Sequence, residues 1–297
     1  MKSKLWIIGC GDIGRRVVNL YTKHRSQQQS IINAVINSEA SKKSCDAIGI
    51  QSIVLDLDDI TKEEVANFGD EINHSELFYF APPPSIGRED TRFKQFLSSL
   101  SHQPRRIVLI STTGVYGDSK GLWIDEKTPV NPQADRAYRR LSAEQLLQQW
   151  AKKYQREYII LRVAGIYAKD RLPLSRLKKG LPVVNHLEAG WTNRIHADDL
   201  AMICKKAMES SFNGEIYNVT DGHPSTMTEY FNQVADYAGL AHPPQISMQQ
   251  AEVRLSAGMV SYLRESRRIA NQKMLDQLAV ELQFPDLEKG LTPSKTE

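Results

Sequence analysis

Cysteines are few in this chain of 297 residues, and long hydrophobic runs are missing. Cys10, Cys45 and Cys204 are odd in number and far apart, with no CxxC pair and no local His/Cys cluster. This usage indicates neither a disulfide framework nor a zinc site, and it favours a reducing compartment. No apolar run reaches the roughly 18 residues that a membrane helix needs. We therefore expect a cytoplasmic protein without a metal or a membrane partner.

An excess of charge of one sign is missing too. The net charge is only +3, and the acidic and basic residues are interspersed, which argues against a nucleic-acid surface. With 41% hydrophobic and 25% charged residues, the composition is that of an ordinary globular protein. At about 150 residues per domain, the length predicts two lobes.

What the chain does have is a series of short apolar runs bounded by polar or turn residues, which predict β-strands. Several are apolar on both faces, as expected of parallel strands that helices cover on both sides. Segments with helical spacing or length separate them, so the pattern predicts an α/β fold with a doubly wound, mostly parallel sheet. The runs are KLWIIG (4–9), IINAVI (31–36), SIVLDL (52–57), ELFYFA (76–81), RIVLIS (106–111), YIILRV (158–163) and EIYNVT (215–220).

A glycine-rich turn joins the first predicted strand to a helix. IIGCGDIGRRV places Gly9, Gly11 and Gly14 in the GxGxxG spacing. In the Rossmann fold the first glycine permits the tight turn, the second lets a pyrophosphate approach the backbone, and the third allows close helix-to-strand packing. The helix N-terminus adds free N–H groups. We predict a dinucleotide site that includes Asp12 and Ile13; a purely steric corner is the alternative.

The end of the second strand bears on which dinucleotide binds. An acidic residue about 20 positions after the glycines would hold a ribose hydroxyl of NAD, but the strand ends at Asn37, near Lys42 and Lys43. Because a neutral Asn37 does not repel a 2′-phosphate, NADP is slightly favoured over NAD. Asp56, which ends the third strand, is a candidate to bond the adenine amino group or to cap the next helix.

The loop after the fourth strand and the later part of the chain complete the predicted organisation. FAPPPS, with Ala81 and Pro82, stiffens the loop that passes the expected nicotinamide site. After Val163 a long irregular stretch begins, and beyond Asp221 the chain is mainly helical and rich in charge. We predict a dinucleotide-binding domain over 1–165, completed by 192–220, and a smaller, discontinuous C-terminal substrate lobe from 166–191 and 221–297.

Five further segments, in one order, resemble motifs of the extended short-chain dehydrogenase/reductases, the family of NAD(P)-dependent sugar epimerases and dehydratases. The resemblance implies a nicotinamide cofactor and a sugar-like or nucleotide-sugar substrate, and dimerisation through surface helices is common in that family. Thr112 matches the catalytic Ser/Thr, although a hydroxyl at a strand end can instead bond nearby backbone. The segments are LISTTGVYG (109–117), WIDEKTPVNP (123–132), LRVAGIYAKDR (161–171), NRIHADDLA (193–201) and GEIYNVTDG (214–222).

The same family carries a Tyr-x-x-x-Lys pair at the start of the helix that follows the prolines of WIDEKTPVNP. In that pair the lysine lowers the pKa of the tyrosine for proton exchange. The matching stretch here is RAYRRLSAEQ (136–145). Taking Tyr138 as the family tyrosine puts Ser142, which carries no charge, at the lysine position. Aligning LSAE with the family's L-x-x-E instead puts Arg136 and Arg140 at the two positions. The resemblance therefore predicts an atypical member.

Helical spacing distinguishes the two alignments. The stripe that starts at the arginines becomes apolar and is expected to face inward, whereas the stripe through Tyr138 is polar. At 100° per residue, Tyr138 points about 160° away from Arg140. We interpret Tyr138 as a surface or interface side chain more than as a catalyst, and Arg140 or Arg136 as the binder of an anionic group. The inward stripe is Arg136, Arg140, Ala143, Leu147, Trp150 and Tyr154.

Three further side chains are candidates without a spacing argument. Tyr116 is a substitute acid near the same sheet edge. Arg171 and Arg268 are candidates for binding the substrate, because in related epimerases a C-terminal basic position grips the diphosphate; a solvated basic helix is the alternative for Arg268. Two functions stay open: an NAD(P)-dependent epimerase, dehydratase or reductase of a polar or anionic small molecule, and a catalytically silent dinucleotide-binding sensor or scaffold.

Overall fold

A computed structural model describes residues 4–23, 31–61, 64 and 72–292 of the chain. Each of the seven predicted strands forms within those ranges. In chain order the strands are β1 (Lys4–Ile8), β2 (Ile31–Ile36), β3 (Gln51–Val54), β4 (Glu76–Tyr79), β5 (Arg106–Thr112), β6 (Trp123–Ile124), β7 (Glu157–Val163), β8 (Gly165–Tyr167), β9 (Val183–Val184), β10 (Trp191–Thr192), β11 (Arg194–His196), β12 (Glu215–Val219), β13 (Ser225–Thr226), β14 (Gln245–Ile246) and β15 (Arg268–Ile269).

The largest sheet has the strand order β12-β7-β5-β4-β1-β2-β3. The pairs β1–β2, β1–β4, β2–β3 and β4–β5 are parallel. Central strands are rich in Ile, Val and Leu, and Ile107, Val108 and Leu109 of β5 are fully buried, as expected where helices cover both faces. The predicted doubly wound α/β fold, with a C-terminal lobe of small sheets, is confirmed.

Helices connect the strands, and several begin at side-chain caps that satisfy free backbone N–H groups. Asp90 accepts from the backbone of Phe93, and Thr226 forms a capping box with Glu229. None of the helices in the described ranges is long and apolar enough to cross a membrane. The helices are α1 (Asp12–Lys23), α2 (Glu39–Asp46), α3 (Thr91–Ser99), α4 (Asp135–Tyr154), α5 (Leu174–Lys178), α6 (Ala197–Glu209), α7 (Met227–Ala238), α8 (Met248–Arg254), α9 (Ala257–Leu263), α10 (Gln272–Leu278) and α11 (Leu287–Leu291).

The chain divides into two compact units. The first contains Met1–Val115, Asp135–Arg162 and Leu200–Tyr217, and the second contains Tyr116–Ala134, Val163–Asp199 and Asn218–Glu297. The second unit therefore also includes residues 116–134, 163–165, 192–199 and 218–220, which were predicted for the first domain. The reason lies in strands of two or three residues, because β6 pairs with β15 and β11 pairs with β8 inside that unit.

Candidate functional site

A cavity of about 430 Å³ lies in the first unit, at the carboxyl ends of β1 to β4. From β1 the chain first adds β2 on one side and later β4 on the other, so the strand order reverses here. Open α/β sheets bind ligands at such a switch point. Six of the predicted cofactor residues line the cavity together: Gly9, Gly11, Asn37, Asp56, Ala81 and Pro82.

The three glycines of the turn meet different surroundings. Gly9 has a φ of 88°, and a Cβ there would lie 2.5 Å from the backbone nitrogen of Ala81. A Cβ on Gly14 would lie 3.1 Å from the Cys10 sulfur, so this glycine packs helix α1 against its strand. Around Gly11 nothing lies within 4 Å of a Cβ position. The turn is thus sterically fixed at Gly9 and Gly14 and open toward the cavity at Gly11.

Asp12 and Ile13, also predicted at the cofactor, belong to the first turn of α1 and do not line this cavity. The Asp12 carboxylate accepts a hydrogen bond from Arg16 at 3.0 Å. Ile13 is only 8% exposed, so its side chain belongs to the core. Their side chains serve the helix, while the turn presents its glycines to the cavity.

Arg92 and Asp58 form an ion pair at this cavity, which the spacing of residues in the sequence did not indicate. Arg92 of α3 donates to Asp58 at 2.8 Å and to the carbonyl of Pro82 at 2.6 Å, and both Arg92 and Asp58 line the cavity. The hydrogen bond from Arg92 lowers the pKa of Asp58. Arg92 thereby ties the segment after β3 to the proline loop after β4. Asp56 accepts from the backbone of Asp58 at 2.9 Å, which closes a turn rather than capping a helix.

Thr112 ends β5, and Arg140 lies in the second turn of α4. The Thr112 hydroxyl accepts from the backbone of Gly114 at 3.1 Å, which is the local bond that the sequence analysis weighed as an alternative. Its O–H has no acceptor among the described residues and stays available for donation. Arg140 Nη1 lies 3.5 Å from the carbonyl oxygen of Ala81, so its guanidinium borders the cavity-lining loop. Burial lowers the pKa of Arg140, while Asp90 opposes that shift.

The predicted inward stripe of α4 is confirmed in its middle and wrong at its ends. Ala143, Leu147 and Trp150 are buried in the core. Arg136 is exposed and Tyr154 is 38% exposed, because the first and last turns of this 20-residue helix lie at the rim of the core. The prediction that Arg136 faces inward is therefore corrected.

Tyr138 lies on another face of the same helix. Its ring packs under the guanidinium of Arg88, whose Cζ is 4.6 Å from the ring centre. It lines a separate groove of the first unit with Ser142 and Gln145. The Ser142 hydroxyl accepts from the backbone of Asp90 at 3.2 Å, so the position four residues after Tyr138 holds a neutral structural contact.

Three of the motif segments meet in a buried polar cluster that the sequence analysis missed. Glu144, the glutamate of LSAE, accepts from Ser111 at 2.5 Å and from Arg162 at 2.7 Å. All three side chains are at most 5% exposed. Ser111 directly precedes Thr112, so the cluster fixes the strand end that carries the candidate hydroxyl. The only sign of this cluster in the sequence is that each of the three motif segments contributes one polar residue to it.

In the second unit, Tyr116 is 2% exposed and donates to the side chain of Asn218 at 2.8 Å. This bond holds the hydroxyl within the second unit, and the role of Tyr116 as a substitute acid stays a prediction. Arg268 donates to the carbonyl of Gly121 at 2.7 Å, and its guanidinium lies 5.5 Å from the ring centres of both Trp123 and Trp191. Arg268 is thus a stacked side chain in a strand, not part of a solvated helix.

The remaining predicted residue, Arg171, ends a short 3-10 turn and is exposed. Nearby in the sequence, His196 is buried between the rings of Tyr167 and Phe284, and Asp199 accepts two backbone N–H groups, from Gln283 and Phe284. Across the described part of the chain, no three His, Cys, Asp or Glu side chains are grouped to hold a metal ion. His196 and Asp199 thus contact residues 283 and 284 of the second unit.

Asp221 of the second unit makes stability depend on pH. Burial raises the pKa of Asp221 from 3.8 to about 7. Between these values the native state holds a proton that the unfolded chain has released, so the free energy of unfolding falls as pH rises, by at most about 1.4 kcal/mol per pH unit. We expect Asp221→Asn to flatten this dependence in urea unfolding between about pH 4 and 7. Equal slopes for the two proteins would contradict the assignment.

Comparisons with known proteins agree with this geometry. Residues 11–220 match the family model described as NAD dependent epimerase/dehydratase family. Protein YeeZ of Escherichia coli strain K12 is 29% identical over 191 residues, and the chain spans 62% of that relative's length, with 64% of its own.

Solved structures match over nearly the whole chain. A functionally unknown conserved protein from Silicibacter pomeroyi DSS is 26% identical with a TM-score of 0.78, over 97% of this chain and 96% of that one. A dTDP-glucose 4,6-dehydratase from Bacillus anthracis in complex with NAD is 19% identical with a TM-score of 0.77, over 97% and 94%. At that identity the second likeness concerns the fold alone.

Proposed function

The chain belongs to the NAD dependent epimerase/dehydratase family, and from this premise we propose that it is an NAD(P)-dependent epimerase, dehydratase or reductase of a sugar-like or nucleotide-sugar small molecule. The observation that carries the proposal is the cavity at the sheet's switch point, with Gly11 open toward it. An open backbone at the end of a strand and the start of a helix suits a pyrophosphate.

The residues of the cavity fit a nicotinamide dinucleotide. Gly11 leaves room for its phosphates, and the proline loop tied down by Arg92 borders the far end. Neutral Asn37 accepts either NAD or NADP. The slight preference for NADP rested partly on Lys42, whose amino group instead donates to the carbonyl of Ser52 at 3.1 Å. The support for NADP is thereby reduced to Asn37 and Lys43.

The cofactor, when bound, supplies a hydride acceptor or donor. Thr112 then serves as the hydrogen-bond donor to the reacting substrate oxygen, because its O–H is available and its strand end is fixed by the Ser111–Glu144 bond. Arg140 stays charged at any working pH and orients an anionic or strongly polar group beside the Ala81 carbonyl. When hydride leaves a substrate alcohol, the hydroxyl proton must also leave. Neither Thr112 nor Arg140 can accept it, so another group of the substrate or a water molecule must.

A catalytically silent sensor is the second candidate, and the surroundings of Tyr138 favour it. The family pairs its tyrosine with a lysine on one helix face, whereas Ser142 stands at that position here and contacts the backbone of Asp90. Tyr138 itself packs with Arg88 on a groove apart from the cavity. Without a cation at this spacing, the usual acid–base chemistry lacks its activated phenol.

Turnover measurements on a panel of nucleotide sugars and carbonyl compounds test the proposal. Near-ultraviolet absorbance of the reduced nicotinamide reports the redox change. We expect Thr112→Val and Arg140→Ala to lower turnover by about 10- to 100-fold, because each removes a contact to the reacting group. Tyr138→Phe is the matched control and should leave turnover within about twofold.

Three outcomes separate the candidates. Cofactor binding with no redox change across the panel would favour the sensor. A collapse of turnover in Tyr138→Phe would show that the tyrosine, not Arg140, faces the reaction. Absence of binding by both NAD and NADP would refute enzyme and sensor together.

A further inference from the structure

Arg194 of the second unit is a buried cation that no acidic side chain neutralises. The residue is 6% exposed. Its Nη1 donates to the Thr192 hydroxyl at 3.1 Å, its Nη2 lies 3.7 Å from the Met227 sulfur, and its Cζ lies 3.9 Å from the ring centre of Tyr230. Within the described ranges, no carboxylate oxygen lies within 4.0 Å of the guanidinium.

This isolation is costly, because a guanidinium carries five N–H donors and a permanent charge. Burying an unpaired charge is strongly unfavourable, and buried charges are normally paired and hydrogen-bonded. Of the four other buried arginines, Arg106, Arg162 and Arg267 each pair with a glutamate at 2.7 Å, whereas Arg139 has no carboxylate partner among the described residues. A sulfur atom and an aromatic face are weak substitutes for a carboxylate. Arg194 is therefore a candidate to receive an anion from outside the chain.

Asp221 does not supply that anion. It is the acid whose charge acts on Arg194, but it lies beyond ion-pair distance, and its carboxylate accepts from the backbone of His223 at 2.9 Å. Because burial raises the pKa of Asp221 to about 7, a large fraction of it is neutral near neutral pH. The positive charge of Arg194 is thus only partly offset.

A second, independent feature gives access to the guanidinium. Gly165 of β8 stands directly opposite Arg194 of β11 in the parallel pair. Gly165 is exposed, and a Cβ at this position would lie 3.3 Å from the carbonyl oxygen of Asn193 and 3.8 Å from Arg194 Nη1. Since glycine has no side chain, a ligand oxygen can approach Nη1 from this side. Thr192 holds the guanidinium in place, because its hydroxyl accepts from Nη1 and donates to the carbonyl of Ser225 at 2.7 Å.

We propose that Arg194, positioned by Thr192 and reached past Gly165, is the anchor of an oxyanion site that binds a carboxylate or a phosphate. A guanidinium fork matches either group with two parallel hydrogen bonds. The site lies within the second unit and does not depend on the proposed enzyme activity.

Titration calorimetry of the full chain with inorganic phosphate and, separately, with acetate tests the site. We expect saturable binding of at least one anion, with a dissociation constant on the order of 1 mM for such a small ligand. Arg194→Met keeps an unbranched apolar side chain but removes the charge, and it should weaken that binding by about tenfold or more. Arg264→Met, an exposed arginine of the same unit paired with Glu252, is the control and should bind like the unaltered chain.

A further variant keeps the test decisive if Arg194→Met does not fold. Gly165→Ala narrows the approach without removing the charge, and it should weaken binding by about threefold or more. Binding of phosphate alone identifies a phosphate ligand, and binding of acetate alone identifies a carboxylate; either supports the site. No saturable heat with either anion, or equal affinity in the unaltered chain and both Arg194→Met and Gly165→Ala, would overturn it.

Discussion

Gly11→Ala weakens dinucleotide binding by about 100-fold or more, equivalent to about 2.7 kcal/mol, and leaves the thermal unfolding midpoint unchanged. The two effects separate because of where the added methyl group would lie. It meets no atom within 4 Å, so the fold accepts it, yet Gly11 lines the cavity where the phosphates must touch the backbone. Fluorescence titration with reduced NAD and NADP measures the affinity, and calorimetric unfolding measures the midpoint.

Two other glycine variants provide comparisons for Gly11→Ala. Gly258→Ala adds the same methyl group to equally open space in the second unit and should leave the dinucleotide affinity unchanged. Gly9→Ala should lower the unfolding midpoint, because its φ of 88° and the Ala81 nitrogen 2.5 Å away leave no room. Unchanged affinity in Gly11→Ala would remove the pyrophosphate from this corner, and with it the proposed function.

The strands and the glycine turn were predictable because their signals are local. An apolar run bounded by turn residues specifies a buried strand without reference to distant residues, and the GxGxxG spacing includes its own steric logic. The inward direction of the middle of the α4 stripe, where Leu147 and Trp150 are buried, was predictable for the same reason. The prediction failed at Arg136 and Tyr154, because periodicity fixes the direction of a side chain but not how far the core extends along the helix.

What the sequence did not reveal depends on contacts between distant positions. Arg92 and Asp58 are 34 residues apart, and either alone is an ordinary surface charge. The pairing of Trp123–Ile124 with Arg268–Ile269 uses strands of two residues, which are too short to show alternation. The lack of a partner for Arg194 was equally hidden, because an arginine within a motif segment gives no sign of its burial or of its missing counter-ion.

The cluster of Ser111, Glu144 and Arg162 leads to the other large expected effect. Glu144→Gln should lower the free energy of unfolding by about 3 kcal/mol or more, because it leaves the charge of Arg162 buried without its carboxylate. Urea unfolding of the full chain measures the loss. Asp135→Asn is the matched control, since the Arg88–Asp135 pair has side chains 66% and 60% exposed, and exposed pairs contribute about 1 kcal/mol at most.

A double variant distinguishes two causes of the lost stability, which are an unpaired buried charge and lost packing. Glu144→Leu combined with Arg162→Met removes both charges and keeps apolar volume, so it should unfold less easily than Glu144→Gln alone, because a well-packed apolar pair is often as stable as a buried ion pair. A double variant no more stable than the single one would mean that Ser111 and the shape of Glu144, rather than charge balance, hold this strand end. In that case the Thr112 hydroxyl would owe its position to the hydrogen bond between Ser111 and Glu144, and Ser111→Ala would reproduce the loss.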